Sequence, residues 1–248
     1  MEDTNQFKLA GDYIYFILSG IGKAYPILLP FTTTMYSLLS ENTLGFIFAG
    51  LSILTTILNL GLKWVSKKIY LRHGFMKEGK CNTFWTRPPS TTSEGRTVGK
   101  SGRCGSFENC VKYKDIIFTR PPDIEDCIEV LGIGMPSGHA QISTAMTFLL
   151  MMHIWSKQRN LPYQITGSAF IIILALGVML DRIIIKCHTW IQVLIGSFIG
   201  YLSGIGYYYF LNWLYPEQFA KIDKWYKHFI IWTYPVLLIL VFIINLFI

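Results

Sequence analysis

Long apolar stretches with almost no charged residues alternate in this sequence with one long polar segment, residues 63–135. A helix rises about 1.5 Å per residue, so about 20 apolar residues cross the hydrocarbon core of a bilayer. Six stretches are candidate spans: Tyr13–Tyr36, Leu44–Leu62, Ala140–Trp155, Tyr163–Ile185, Trp190–Trp213 and Phe229–Ile248. The pattern predicts an all-α integral membrane protein, a bundle of about six transmembrane helices with one long polar loop.

The uneven distribution of charge supports a membrane protein. Only 15% of the residues are charged, whereas a soluble domain carries about 25%. The charges concentrate between Lys63 and Glu129. We therefore expect residues 1–248 to form one membrane domain. The stretch Tyr13–Tyr36 holds a lysine and two prolines, so an interfacial or re-entrant helix is an alternative for it.

Counting membrane crossings places the long polar segment and the short link Lys186–His188 on the same side. The candidate functional residues of both segments can therefore meet at one membrane face. Basic residues flank the spans on both sides, but short links weigh more in setting orientation than long ones. This favours a non-cytoplasmic position for that face.

The cysteines leave the redox compartment open. Cys81, Cys104, Cys110 and Cys127 all lie in the long polar segment. They could pair in an oxidising lumen or remain free thiols in a reducing compartment. Their spacings do not resemble those of a zinc site. Cys187 stands apart, and we expect it to be a packing residue.

The net charge of +7 comes mostly from the long polar segment. It favours anionic lipid headgroups or a phosphorylated substrate as partners. We expect no nucleic-acid partner, because the basic residues lie beside membrane spans.

The string Pro136-Ser137-Gly138-His139 stands directly before an apolar stretch. Ser137 suits a helix N-cap, and Gly138 lets a bound group approach the backbone. A helix start presents free N–H groups and partial positive charge, which suit phosphate. His139 on the first turn could give a proton to a leaving oxygen. A plain helix cap is the alternative interpretation.

A second group of residues joins the fourth and fifth spans. Asp181-Arg182 is followed by five residues and His188, then by three residues and Gln192. His188 and Gln192 would share one helix face, so Gln192 could hold one imidazole nitrogen and leave the other as a nucleophile. Arg182 could hold a phosphate by two parallel hydrogen bonds. Interfacial snorkelling is the alternative for Arg182.

A third group, Lys80 followed by six residues and Arg87-Pro88, supplies two more cations. Thr86-Arg87-Pro88-Pro89 recurs around Arg120, so Arg120 could take the place of Arg87. Lys63, at the end of the second span, could likewise take the place of Lys80. We expect Lys80 and Arg87 to be the pair that binds phosphate.

In this order and spacing, the three groups closely resemble the site of the type 2 phosphatidic acid phosphatase superfamily, which vanadium haloperoxidases share. The family pattern is Lys, six residues, Arg-Pro; then Pro-Ser-Gly-His; then Ser-Arg, five residues, His, three residues, Asp. The second motif matches in full, and the third matches in its arginine, its histidine and both spacings. The resemblance covers roughly residues 63–200. Asp181 stands in place of the serine, and Gln192 in place of the aspartate.

Two details look like the dolichyldiphosphatase branch: the run Gly134-Met135-Pro136-Ser137, and Gln192-Val193 after the last histidine. Glucose-6-phosphatases also have that Gln-Val pair. The branch implies hydrolysis of a polyprenyl diphosphate to its monophosphate at the lumenal face of the endoplasmic reticulum. The alternatives are a phosphatidate, sphingoid-phosphate or sugar-phosphate phosphatase, or a transporter or scaffold that keeps a phosphate pocket.

The resemblance also implies roles for the residues. The terminal phosphate would be held by Lys80, Arg87, Ser137, Gly138 and Arg182. His188 would attack phosphorus to form a phosphohistidine, oriented by Gln192. His139 would protonate the leaving oxygen and then activate water. Three cations would balance the phosphate charge, so we expect no metal and no cofactor.

Overall fold

A computed structural model describes residues 44–73, 81–91, 97–100, 124–157 and 160–214. These residues form five helices: α1 (Leu44–His73), α2 (Ile124–Leu131), α3 (Gly138–Lys157), α4 (Leu161–Ile184) and α5 (Trp190–Leu214). Two short strands, β1 (Pro89–Thr91) and β2 (Thr97–Lys100), pair antiparallel within the polar segment. The prediction of a helical membrane protein is confirmed, with this small hairpin as an addition to it.

Three of the described helices are long and apolar enough to cross a membrane: α1 from Ile47, α4 and α5. The predicted span Ala140–Trp155 lies in α3, which is not among these three. Polar residues interrupt its sequence, and four of them are buried: Gln141, Ser143, Thr144 and Thr147. The stretches Tyr13–Tyr36 and Phe229–Ile248 lie outside the described residues. The total of six spans, and a single domain over residues 1–248, stay predictions.

Helix α3 is the centre of the described bundle, since α1, α4 and α5 all pack against it. The core between them is apolar: Ile47, Phe48, Leu51, Ala145, Met146, Leu149, Tyr207 and Leu211. The outward faces of α4 and α5 expose large apolar side chains such as Phe170, Ile173 and Phe198. Such broad apolar faces are unfavourable in water and suit lipid contact. The buried polar residues of α3 thus lie in the interior of the bundle, away from the lipid.

Three glycines of α5, spaced four residues apart, lie against the backbone of α3. A Cβ added at Gly196 would lie 2.5 Å from the carbonyl oxygen of Ser137. Gly200 and Gly204 meet backbone carbonyls of α3 in the same way. Small residues at this spacing allow helices in membranes to approach closely. The contact brings the start of α3 against the start of α5.

Helix α1 continues past the apolar stretch that predicted it. The prediction ended the span at Leu62, whereas the helix ends at His73. Its inward face carries Asn59, Ser66 and Tyr70, which are all buried. Their spacing of seven and four residues places Lys63, one turn after Asn59, on the same face. The first residues of the predicted polar loop are therefore helical.

Two disulfides involve the described cysteines. Cys81, after α1, bonds to Cys127 of α2, with their Cα atoms 5.5 Å apart. Cys187 is also disulfide-bonded. Its partner is neither Cys81 nor Cys127 and so lies outside the described residues. Cys187 is completely buried and packs with Ile185, as expected of a packing residue. Its disulfide adds a covalent cross-link beside His188 that was not predicted.

Candidate active site

The link between α4 and α5 fixes the separation of Arg182 and His188. Lys186 takes a left-handed conformation, with φ 57°. The N–H of Cys187 donates to the carbonyl of Arg182 (3.0 Å), and that of Lys186 to the carbonyl of Ile183 (3.0 Å). These two bonds make a Schellman motif, the usual ending of a helix at a left-handed residue. The N–H of His188 also donates to the Arg182 carbonyl (3.2 Å), so His188 lies next to the arginine backbone.

The turn before α3 brings His139 to the start of a helix. Ser137 is the N-cap: its Oγ accepts the N–H of Ala140 at 3.5 Å, and its carbonyl accepts that of Gln141 at 3.0 Å. The N–H of Ser137 donates to the carbonyl of Gln192 at 3.1 Å. His139 therefore lies on the first turn of α3, and that turn is bonded to the first turn of α5.

Asn59 of α1 holds the same turn from the other side. Its Nδ2 donates to Oε1 of Gln141 at 2.8 Å and approaches the carbonyl of Pro136 at 3.4 Å. A Cβ added at Gly138 would lie 3.0 Å from Oδ1 of Asn59. Buried amides bonded in this way specify one arrangement of the helices that carry them. The inward face of α1, including Lys63, is thus fixed beside His139.

Arg87 follows a turn that is bonded to the chain before α3. Asn82 starts the turn, since its carbonyl accepts the N–H groups of Trp85 and Thr86, both at 3.1 Å. The N–H of Arg87 donates to the carbonyl of Gly132 (3.2 Å), and that of Gly134 to the carbonyl of Trp85 (2.9 Å). Together with the nearby disulfide of Cys81, these bonds carry Arg87 to the same end of the bundle as His139.

Arg182 is completely buried and pairs with Asp181. Its Nε donates to Oδ2 of Asp181 at 3.0 Å, and its Nη2 donates to the same oxygen. Nη1 has no hydrogen-bond partner among the described residues. A buried charged donor without a partner is costly, and a phosphate oxygen would satisfy it. The carboxylate that departs from the family pattern thus fixes the guanidinium on one edge and leaves its other edge for a ligand.

The two histidines lie in one electrostatic environment. Burial, together with the positive charges of Arg182, Lys63 and Arg87, lowers the pKa of His139 to about 3. Burial, with Arg87 and Lys63, holds the pKa of His188 well below its ordinary value. His139 itself contributes to the shift of His188, so the rings are close enough to interact. Both rings are therefore neutral at pH 7.

Gln192 is bonded to the nucleophile candidate. Its Oε1 lies 3.1 Å from Nδ1 of His188. An amide oxygen can only accept a hydrogen bond, so Nδ1 carries the hydrogen and Nε2 keeps its lone pair. This is the tautomer that a nucleophilic imidazole needs.

The structure brings most of the sequence-predicted residues to one end of the bundle. His139, His188, Arg182 and Arg87 interact there, directly or electrostatically. Lys80, the predicted lysine of the first motif, and Arg120, the alternative to Arg87, lie outside the described residues, so their assignment stays a prediction. Among the described lysines, Lys63 is the one whose charge acts on both histidines. It shares a helix face with Asn59, but only because the helix continues beyond Leu62, where the apolar stretch ends.

Two further features of the site were missed by the sequence analysis. The disulfide of Cys187 could not be predicted, because this cysteine stands far in sequence from the other four. The sequence indicates the amide pair Asn59 and Gln141 only weakly, since each is a polar residue within an apolar stretch. Among the described residues, no group of three His, Cys, Asp or Glu side chains could hold a metal ion.

A helical membrane bundle that holds one buried and one half-buried histidine among several cations is typical of phosphate-handling membrane proteins. The chain belongs to the PAP2 superfamily, whose family model matches residues 43–216. Membership implies a phosphatase acting on lipid or other phosphate substrates. No curated protein and no solved structure matches the chain.

Proposed function

We propose that this protein hydrolyses a lipid phosphate or diphosphate through a phosphohistidine, without a metal ion. The observation that carries the proposal is the neutral His188 ring, held through Nδ1 by Gln192 beside the charges of Arg87 and Lys63. Cations fixed in a buried site stabilise the charge of a transferring phosphoryl group. The finer assignment, a polyprenyl diphosphate converted to its monophosphate, follows from the resemblance to dolichyldiphosphatases.

In the first step, Nε2 of His188 attacks phosphorus, and the bond from phosphorus to the leaving oxygen breaks. The leaving oxygen takes a proton from His139. Burial and three cations lower the pKa of that ring to about 3. A bound phosphate offsets these charges and so raises the pKa of His139, which allows it to hold the proton that it donates.

In the second step, His139, now neutral, accepts a proton from water. The water oxygen bonds to phosphorus, the bond from phosphorus to Nε2 breaks, and inorganic phosphate leaves. The first turn of α3 suits this role, because the N–H groups at a helix start favour an anion beside the ring. His139 thus acts as an acid and then as a base.

Lys63, rather than Lys80, is the lysine that we assign to the phosphate clamp. It lies on the inward face of α1, and its charge acts on both histidines. Arg87 and Nη1 of Arg182 complete the clamp. The first family motif would then be interrupted, with its lysine and its arginine separated by the end of α1 and the segment after it.

The surface around the histidines favours a substrate that resides in the membrane. Ile184 ends α4 and Trp190 begins α5, so they flank the link that carries His188. Their exposed fractions are 59% and 61%. Apolar side chains at this position can contact an acyl or polyprenyl chain while the headgroup enters the site.

The disulfides favour a catalytic face in an oxidising compartment. Disulfides persist in the lumen of the endoplasmic reticulum and outside the cell and are rare in the cytosol. One joins the Arg87 segment to α2 through Cys81, and another holds Cys187 beside the nucleophile. This agrees with the orientation that the short links predict.

The test is phosphate release from a panel of lipid phosphates and diphosphates, assayed in sealed vesicles with the cytoplasmic face outward. We expect activity in excess chelator, with a polyprenyl diphosphate preferred over phosphatidate, a sphingoid phosphate and a sugar phosphate. Activity should appear only after permeabilisation. Absence of turnover on every substrate would favour a transporter or scaffold, and activity that requires magnesium would refute the mechanism. Full activity before permeabilisation would place the site on the cytoplasmic face.

Replacing Lys63 with alanine should reduce kcat/KM by about 100-fold, since a lost donor to transition-state charge typically costs this much. Lys67→Ala is the matched control, because Lys67 lies one turn further along α1 and is exposed. We expect it to leave the kinetics unchanged. Parallel measurement on Lys80→Ala decides the assignment: a large loss there with a small loss at Lys63 would restore the original prediction.

A further inference from the structure

We propose that Gln192 is a positioning residue that ties the His188 ring to the turn carrying Arg87, so that nucleophile and clamp keep one spacing around the phosphate. The inference rests on the proposed function for the roles of His188 and Arg87. It goes beyond that function because it gives Gln192 a second task, which an aspartate at this position could not perform.

One end of the Gln192 amide faces the nucleophile. Oε1 accepts from Nδ1 of His188 at 3.1 Å and from the N–H of Thr189 at 3.3 Å. This end needs an acceptor only. A carboxylate would serve here as well as an amide, as it does in the family pattern.

The other end of the amide faces the turn before Arg87. Nε2 donates toward three backbone carbonyls, those of Thr83 (2.9 Å), Phe84 (3.2 Å) and Thr86 (2.7 Å). The two amide hydrogens are shared among these oxygens. A carboxylate oxygen at this place has no hydrogen to donate and would be repelled by the carbonyl dipoles. The same contacts fix the amide orientation, because a flipped amide would set its oxygen against these carbonyls.

The amide has no room to move away from this position. Gln192 is completely buried. A Cβ added at Gly134 would lie 2.5 Å from Oε1 and 2.6 Å from Nε2. The backbone of Gln192 is held as well, since its carbonyl accepts the N–H of Ser137. One residue therefore contacts three of the segments that carry the proposed site: those of His188, Arg87 and His139.

The turn matters because Arg87 follows it immediately. Of the charged groups that act on His188, Arg87 has the largest effect. If the Nε2 bonds are lost, the turn is released on the side that faces the nucleophile. A displacement of about 1 Å in a reacting or clamping group can cost about 100-fold in rate.

The experiment compares Gln192→Glu with Gln192→Ala, alone and combined with Arg87→Ala. Glutamate keeps an acceptor for His188 but cannot donate to the turn. We expect Gln192→Glu to weaken the binding of inorganic phosphate, measured by phosphate-dependent thermal stabilisation, by about tenfold or more, close to the loss in Gln192→Ala. Adding Gln192→Glu to Arg87→Ala should weaken binding little further, because the clamping group that the turn positions is already absent.

Gln164→Glu makes the same chemical change in the first turn of α4, at the opposite end of that helix from Arg182, and should bind phosphate as the wild type does. If Gln192→Glu cannot be folded, Gly134→Ala serves instead, since it displaces the amide without altering its chemistry. Near wild-type phosphate binding in Gln192→Glu or in Gly134→Ala would overturn the proposal. So would losses that multiply in the double variant.

The binding readout keeps this inference separate from the proposed function. A wild-type protein that binds phosphate but releases none from any lipid refutes the proposed enzyme, while the coupling of Gln192 to Arg87 is still measured. Conversely, an active enzyme whose Gln192→Glu variant binds phosphate normally refutes the coupling alone.

Discussion

Replacing His188 with alanine should lower phosphate release by about 1000-fold or more, because loss of a nucleophile removes the covalent route entirely. The phosphoenzyme should disappear at the same time. Vanadate, which takes a five-coordinate shape like the transferring phosphoryl group, should inhibit the wild type by bonding to Nε2 of His188. The variant should lose this inhibition, since no ring nitrogen is left to bond vanadium.

The matched control is His73→Ala, at the exposed end of α1. It should keep both turnover and vanadate sensitivity. The phosphoenzyme is measured with radiolabelled substrate after the reaction is stopped without acid, because phosphohistidine is labile in acid. A phosphoenzyme that still forms in His188→Ala would assign the nucleophile to another residue.

His139→Ala should separate the two chemical steps. With a lipid substrate, whose leaving oxygen needs a proton, we expect a loss of about 100- to 10,000-fold, the range typical of general acid–base catalysis. With p-nitrophenyl phosphate, whose leaving group departs unprotonated, the first step should be largely spared. The second step still lacks its base, so phosphoenzyme should accumulate.

The measurement is a burst of p-nitrophenol followed by slow turnover in His139→Ala. Equal losses for the lipid and for p-nitrophenyl phosphate, without a burst, would contradict the acid role. A His139→Gln variant tests whether a neutral polar side chain of similar reach restores any rate.

The short-range geometry of the site could be predicted from the sequence. Four residues separate His188 from Gln192, and that spacing on one helix face gives their hydrogen bond. The Pro-Ser-Gly-His string predicts a helix start, because a serine cap and a histidine on the first turn depend only on neighbouring residues. These features follow from local backbone geometry, which a sequence pattern encodes directly.

Lys63 could not be assigned in this way. The apolar stretch ends at Leu62, and hydropathy gives no sign that the helix continues to His73. Tertiary bonds stabilise that extension, such as that from the N–H of Asn82 to the hydroxyl of Tyr70 (3.4 Å). Such contacts join residues distant in sequence, and no local spacing rule reports them.

The roles of Asp181 and Gln192, which depart from the family pattern, could likewise be predicted only in part. From the sequence, Asp181 could either weaken phosphate binding or fix the arginine, and only the structure shows the bond to Nε of Arg182. For Gln192, the sequence predicts the bond to His188 four residues earlier. It does not predict the bonds to the turn at Thr83–Thr86, more than a hundred residues away.

The glycine contact between α3 and α5 determines how the site responds to its surroundings. A contact of backbone on backbone has no rotamers to rearrange, so the separation of the two helices has few alternative values. Lipid contacts the outward faces of α4 and α5, and changes in bilayer thickness act on these faces. A change in the membrane can tilt these helices, while the backbone contact between the start of α3 and the start of α5 is kept. The glycine contacts thus limit how far the starts of α3 and α5 can separate when the surrounding bilayer changes.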